Sequence, residues 1–373
     1  VWTLRNFIAI QQSHSIACEG YHQSTVRTGY DQVIAHRSYD LFAMTAPKPG
    51  KVLSVNKKGI IVEYEDGVKQ GYELGRRFGN AAGLTIPHEI ATTLKPNDAF
   101  DKGEPICYNT GFFEIDFFDP KRIVLKNAFN VRTVLWESLQ TLEDASSITE
   151  KTASKLVTSI TKIKTVLLSF DQTVTNLVKV GDRVEYDTVL CYIQDEVTAG
   201  SKLFTDETID TLKMLGAQSP RAHVKGVVEG IEVYYHGDKE DMSESILNLA
   251  NESDKRLRYN SNSQGKKFYS GSVDAGYRTD GTPLGLDCVA IRIYITTQVP
   301  AGVGDKGVFV NQMKTVFSQT IKDPYKTEDG KEIDAVFGAK SIDDRIVNSA
   351  VIIGAANAAL DMITDKAVGL YFS

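Results

Sequence analysis

Apolar residues recur with period two along much of the chain. Val289, Ile291, Ile293 and Ile295 alternate with Arg292, Tyr294 and Thr296, which predicts a half-buried strand. Residues 52–55, 59–64 and 68–72 predict a β-meander, with the Glu65-Asp66-Gly67 turn closing its second hairpin. Further β-type runs cover 123–125, 131–136, 224–235 and 333–337. Helical signals are fewer. Thr149 opens a short stretch with an acid in its first turn. Residues 243–256 form an amphipathic stretch with an acidic start, and 347–360 a small-residue apolar one. Residues 260–271 are polar and predict a loop. Strands therefore outnumber helices, and the expected class is mainly β with α (α+β).

One pattern repeats. Residues 95–108 align with 179–192 at a constant offset of 84 positions. Lys95, Asp98, Cys107 and Tyr108 match Lys179, Asp182, Cys191 and Tyr192, and apolar Phe100 and Ile106 match Val184 and Leu190. The shared content is a tight Asn/Gly-Asp turn, a short strand, a second turn and a buried strand. It predicts two similar β-units flanking residues 109–176 and carries no chemistry of its own.

Bulk properties narrow the options. A chain of 373 residues accommodates two or three domains. Its net charge of −6 supplies no global basic field for nucleic acid, although a chain forming one wall of a channel needs none. Cys18, Cys107, Cys191 and Cys288 lie far apart, without zinc-type spacing, and read as reduced intracellular thiols. No apolar run is long enough to span a membrane, and no signal-peptide pattern is present. The start at Val1-Trp2 reads as mid-element, so a fragment or a split or processed chain is expected.

The candidate chemistry centres on Gly304-Asp305-Lys306, with Lys314 eight residues later. Two lysines set by a strand and a glycine-rich loop can grip a polyphosphate. Eight extended residues span roughly 27 Å, so the chain must fold back if both serve one phosphate cluster. The bland reading is a solvated surface pair. A rival lies in the same letters: Gly302 to Gly307 spells the glycine spacing of a dinucleotide fingerprint, with Glu328 near the position of its acid. That motif must open a helix, and Val308-Phe309-Val310 is poor helix-start chemistry. A helix near Gly304 would favour a Rossmann-like nucleotide-binding enzyme; a strand there would reject it.

The strand leading into Gly304-Asp305-Lys306, with Lys314 following, resembles the second-largest (β) subunit of multisubunit DNA-directed RNA polymerases. Glu143-Asp144 precedes Thr149-Glu150 by the family's count, and Arg345 stands eleven residues past Asp334, as the family's arginine does. Gln12 matches by count a glutamine in an active-site loop. Val310, Asn311 and Gln312 stand where the family commonly has Arg-His-Gly, and Val347 stands where it has asparagine. The resemblance spans about residues 10–365. It implies a divergent β-type subunit, split and encoded by a large bacteriophage. The implied fold is a double-psi β-barrel interrupted by a flap-like insertion, with flanking sandwich-barrel elements. The implied divisions are an active-site-proximal part at 1–47, a β-rich hybrid element at 48–110, the barrel's first half at 111–169, a flap-like domain at 170–285, and the second half with a C-terminal helix at 286–373.

The resemblance also implies roles. Lys306, Lys314 and Arg345 would contact nucleotide phosphates and the RNA 3′ end. Glu143, Asp144 and Gln12 would approach the bound nucleotide. Catalytic Mg²⁺ would be held by an Asp-Phe-Asp-Gly-Asp loop of a partner β′-type chain. No such loop occurs here, and Asp116-Phe117-Phe118-Asp119-Pro120 reads as a strand end. Expected partners are β′-like subunits, an N-terminal β-like subunit, a sigma-like specificity factor near the flap, DNA template, RNA and nucleoside triphosphates. No membrane partner is expected, and the location would be host cytoplasm or virion. The remaining alternative is a non-catalytic structural phage protein.

Overall fold

The computed structural model describes residues 2–7, 16–27, 29–81, 84–195, 219–263, 270–310, 313–343 and 348–372. Strands dominate it, as the period-two pattern requires. A nine-stranded sheet runs Phe113–Ile115, Ile123–Val131, Trp2–Phe7, Lys306–Phe309, Met313–Ile321, Ala145–Thr149, Ala335–Phe337 and Thr133–Leu135, with His22–Gln23 added beside Ile123–Val131. Two of its pairings are parallel: Met313–Ile321 with Ala145–Thr149, and Ala335–Phe337 with Thr133–Leu135. The sheet thus draws strands from both ends and the middle of the chain. No closed barrel is present among the described residues.

One face of this sheet is the core. Trp2, Leu4, Phe129, Phe309, Phe317 and Phe337 are all buried in one cluster. Trp2 meets Phe309 and Phe337 edge-on, each at 6.3 Å between ring centroids. The indole N–H of Trp2 donates to the carbonyl of Ala350, which ties the C-terminal helix Asn348–Phe372 to the first strand. That helix is longer than the 347–360 stretch the apolar pattern suggested. Its residues 362–372 are all exposed, so their apolar side chains add no packing to the body.

An eight-stranded sheet contains Thr158–Ser169, Cys288–Val299 and Gly226–His236 as neighbours. Cys288–Val299 departs from the sequence expectation of a half-buried strand. Val289, Ile291, Ile293 and Ile295 are fully buried, but Ala290, Tyr294 and Thr296 on the other face are buried too. Phe78 stacks on Tyr294 at 4.4 Å, and the hydroxyls of Tyr294 and Tyr234 both donate to Glu232. Alternation reported residue type; a second layer of aromatic and hydrogen-bonded side chains decided exposure.

The meander forms as predicted from Gly50–Asn56, Gly59–Tyr64 and Lys69–Glu73. Thr149 caps Glu150–Lys155, its side chain accepting the N–H of Thr152. The amphipathic stretch is the helix Glu244–Ser263, which takes up the start of the predicted 260–271 loop; 264–269 lie outside the described residues. Asp116 closes a turn just after Phe113–Ile115, accepting from Phe118 N–H and the Arg27 guanidinium, so this acidic string is a strand end. No helix among the described residues is long and apolar enough to cross a membrane.

The internal repeat is real in three dimensions. The N–H groups of Lys95 and Lys179 donate to the carboxylates of Asp98 and Asp182, both at 2.7 Å. Asn97 and Gly181 occupy the left-handed region, with φ of +73° and +100°. Each turn then docks by two backbone hydrogen bonds on one residue of a neighbouring strand, Val52 or Val228. Phe100 and Val184, then Ile106 and Leu190, are buried at equivalent places. Asp98→Ala and Asp182→Ala are each expected to cost about 1 kcal/mol through loss of this turn bond. Equilibrium urea unfolding of the two variants measures it.

Candidate functional site

Lys306 opens the strand Lys306–Phe309, and Lys314 lies in the antiparallel Met313–Ile321. Lys306 pairs with Val316, and Val308 with Lys314. The chain therefore folds back, as a shared phosphate cluster requires. Residues directly opposite in an antiparallel pair share a face, so Lys306, Val308, Lys314 and Val316 lie together. The lysines are diagonal neighbours, with Cα atoms roughly 7–8 Å apart. The opposite face carries Phe309, Met313, Thr315 and Phe317, all buried. Lys306 is exposed and Lys314 half-buried, whereas Val308 on the same face is covered. Neither lysine has an ion-pair partner among the described residues.

The turn before Lys306 explains the Gly-Asp pair. Gly304 has φ +93°, which only glycine adopts readily. The N–H of Gly302 donates to the Asp305 carboxylate at 2.8 Å, and the N–H of Asp305 to the Gly302 carbonyl at 3.2 Å. Gly304 and Asp305 then dock on Phe317, donating to its carbonyl at 2.8 Å and accepting from its N–H at 2.9 Å. This is a third copy of the turn seen at 95–98 and 179–182. Val303-Gly304-Asp305 and the cation after it match Val180-Gly181-Asp182 and Arg183, but the lysine that opens the other two copies is Gly302 here and the strands that follow differ. Gly304 and Asp305 are thus positioning residues, and Lys306 is what the turn presents. The string from Gly302 to Gly307 enters a strand, so it provides no helix N-terminus for a pyrophosphate, and the dinucleotide reading loses its basis.

Three further segments meet this hairpin. The N–H of Val316 donates to the carbonyl of Asp144 at 2.9 Å, and Ala145 pairs in parallel with Val316. Glu143-Asp144 therefore leaves its strand on the side toward Lys314, with both residues exposed. Glu143 has φ +53°, an uncommon conformation for a residue bearing a side chain. Ser341, in the short helix Ala339–Asp343, donates its hydroxyl to the carbonyl of Glu143. Gly338 makes this contact possible: a Cβ there would sit 2.3 Å from the carbonyl oxygen of Thr141. Lastly, Phe7 pairs with Lys306, so the first strand ends beside that lysine. Gln12 and Arg345 lie outside the described residues; Gln12 follows Phe7 by five positions, and Arg345 follows Asp343 by two.

Val310, just past Lys306–Phe309, has φ +56°, a conformation that costs a β-branched residue about 1–2 kcal/mol. Its side chain is buried in the core cluster, which offsets that strain. Glu143 and Val310 are two of seven non-glycine residues at positive φ among the described residues. Asp334, the reference point for Arg345, is structural. Its carboxylate accepts the N–H of Arg132 at 2.8 Å, and its carbonyl accepts from Thr149 N–H and the Thr152 hydroxyl, both at 3.0 Å.

Among the described residues, no three His, Cys, Asp or Glu side chains converge as a metal site. Glu143 and Asp144 alone do not make a cage for Mg²⁺. What the arrangement offers is two cations without an ion-pair partner among the described residues, beside two acids at one sheet end. It suits binding of phosphates whose metal is brought by another group. No protein-family model and no curated protein matches the chain.

Proposed function

We propose that this chain is a β-type catalytic-core subunit of a multisubunit DNA-dependent RNA polymerase. One observation supports the reading above others: Glu143-Asp144 lies far in sequence from the Lys306–Lys314 hairpin and from the helix Ala339–Asp343 that precedes Arg345, yet the three meet at one end of one sheet. These are segments that the resemblance expects around one bound nucleotide. Lys306 and Lys314 would neutralise charge developing on the phosphates of nucleotide and RNA 3′ end. Arg345 would join them, and Glu143, Asp144 and Gln12 would face the nucleotide.

Mg²⁺, held by a partner β′-type chain, would activate the 3′-hydroxyl and stabilise the leaving pyrophosphate. The chain alone would then be inactive. In this reading the nine-stranded sheet belongs to a double-psi β-barrel, and residues 170–285 form a flap-like insertion near which a specificity factor docks. The setting would be a large bacteriophage with a split β subunit, in host cytoplasm or virion. Purification of the native complex with mass-spectrometric identification of its subunits tests this. Co-purification with a chain bearing Asp-Phe-Asp-Gly-Asp is expected. A stable monomer or homo-oligomer without it would instead favour a structural protein.

A further inference from the structure

A cleft of about 840 Å³ lies between the two large sheets, away from the lysine hairpin. Lys126, on Ile123–Val131 of the nine-stranded sheet, lines one wall; residues of the eight-stranded sheet, of the loops adjoining its strands and 17–19 line the rest. The walls carry four cations (Arg76, Lys126, Arg183, Lys225) and four carboxylates (Glu19, Glu89, Glu185, Glu229), so they balance in total but are unevenly paired. Each wall carboxylate already holds a protein donor. Glu89 and Glu229 share Arg76 at 3.5 and 3.0 Å, Glu185 holds Lys225 at 2.9 Å, and Glu19 accepts from the amide of Gln298. Thr110, Thr158 and Thr297 spend their hydroxyls on backbone carbonyls. Two cations are left over: neither Lys126 nor Arg183 has an ion pair or side-chain hydrogen bond among the described residues.

Lys126 is the unusual one. It is half-buried, and burial pulls its ammonium below the ordinary lysine range, with the field of Glu114 countering only in part. Glu114 is itself engaged, accepting the N–H of Gln23 at 2.6 Å. A partly desolvated cation without an ion-pair partner costs stability, and an anion placed beside it recovers that cost. Arg183 directly follows Asp182 in the second repeat turn, the place Lys306 holds after Asp305. The same turn thus presents a cation in both locations.

We propose that this cleft binds a phosphate-bearing ligand of nucleotide size, with half-buried Lys126 as its inner anchor and Arg183 as its outer contact. A phosphate's several oxygens suit a compact ammonium together with a planar guanidinium fork. The volume exceeds that of a bare phosphate and lies in the range of small-ligand sites. The phosphate could come from a free nucleotide or from a nucleic-acid strand. Neither the polymerase reading nor a metal is needed for this site.

The test is competitive acylation of the full chain by acetic anhydride, read lysine by lysine by mass spectrometry. It is run in EDTA, without partner chains, using UMP or a 5′-hydroxyl oligouridylate as probe. At least fivefold slower labelling of Lys126 is expected. Protection by UMP assigns a free nucleotide; protection by the oligonucleotide alone assigns a strand. Labelling of Lys126 unchanged by either probe at millimolar concentration overturns the proposal. For the probe that protects, Lys126→Met is expected to weaken binding tenfold or more, and Lys126→Arg to restore it to within threefold. Equal affinity of Lys126→Met and the native chain would overturn it as well.

Discussion

Lys314→Ala is expected, on the proposed polymerase function, to cut RNA chain extension by the full assembly by about 100-fold or more, with Lys306→Ala close behind. Both side chains project from the outer face of a hairpin whose other face is core, and neither has an ion-pair partner among the described residues. Truncation therefore removes charge without opening a cavity. Each variant's unfolding free energy is expected to stay within about 0.5 kcal/mol of the native chain. Single-nucleotide addition on a preformed RNA–DNA scaffold gives the first quantity, and urea unfolding of the isolated chain the second. Near-native extension by Lys314→Ala, in complexes of unchanged subunit composition, would contradict the assignment. Lys306→Arg keeps charge but changes its shape, so it separates a pure field effect from a positioned ammonium.

Phe317→Ala is expected to cost about 3–5 kcal/mol, the largest stability change of any substitution considered. Phe317 is fully buried with Trp2, Phe309 and Phe337, so truncation leaves a cavity beneath the sheet. Its backbone also receives the turn at Gly304-Asp305 through two hydrogen bonds. Any shift of that residue moves the turn that presents Lys306. Activity should consequently fall in parallel with stability, unlike the lysine variants. Urea unfolding and extension assays on the same preparations measure both. A loss under about 1 kcal/mol would mean that the cluster repacks and that the sheet does not depend on this ring.

Local elements were legible because their causes are local. The Asp-Gly hairpin, the Thr149 cap and the Asn/Gly-Asp turns depend on residues within a few positions of one another, and each formed where the sequence put it. The third turn copy, at 302–305, was not recognised. A turn closed by one carboxylate and one left-handed residue leaves too little sequence to stand out once the flanking strands differ. The exposure of Cys288–Val299 was misjudged for another reason. Its polar face is covered by Phe78, more than 200 positions earlier, and by the tyrosine–Glu232 cluster, so its burial depends on distant segments.

The same division holds for the candidate site. Lysine spacing implied a fold-back, and the hairpin supplies it. Nothing local in Glu143-Asp144 places it beside Lys314; that follows from a parallel pairing between Ala145–Thr149 and Met313–Ile321. Lys126 carried no motif at all. It is half-buried, without an ion pair among the described residues, because two sheets meet around it and the neighbouring acids accept from other donors.

By itself, then, the sequence determined the β-rich class, the turns, the repeat and the identity of the charged groups. These rest on backbone preference and short-range hydrogen bonding. Only the tertiary structure decided which faces are buried, which cations stay unpaired and which segments share one sheet end. Those outcomes arise from burial and strand pairing between residues hundreds of positions apart, where the free energy belongs to the assembled sheets and to no single stretch of chain.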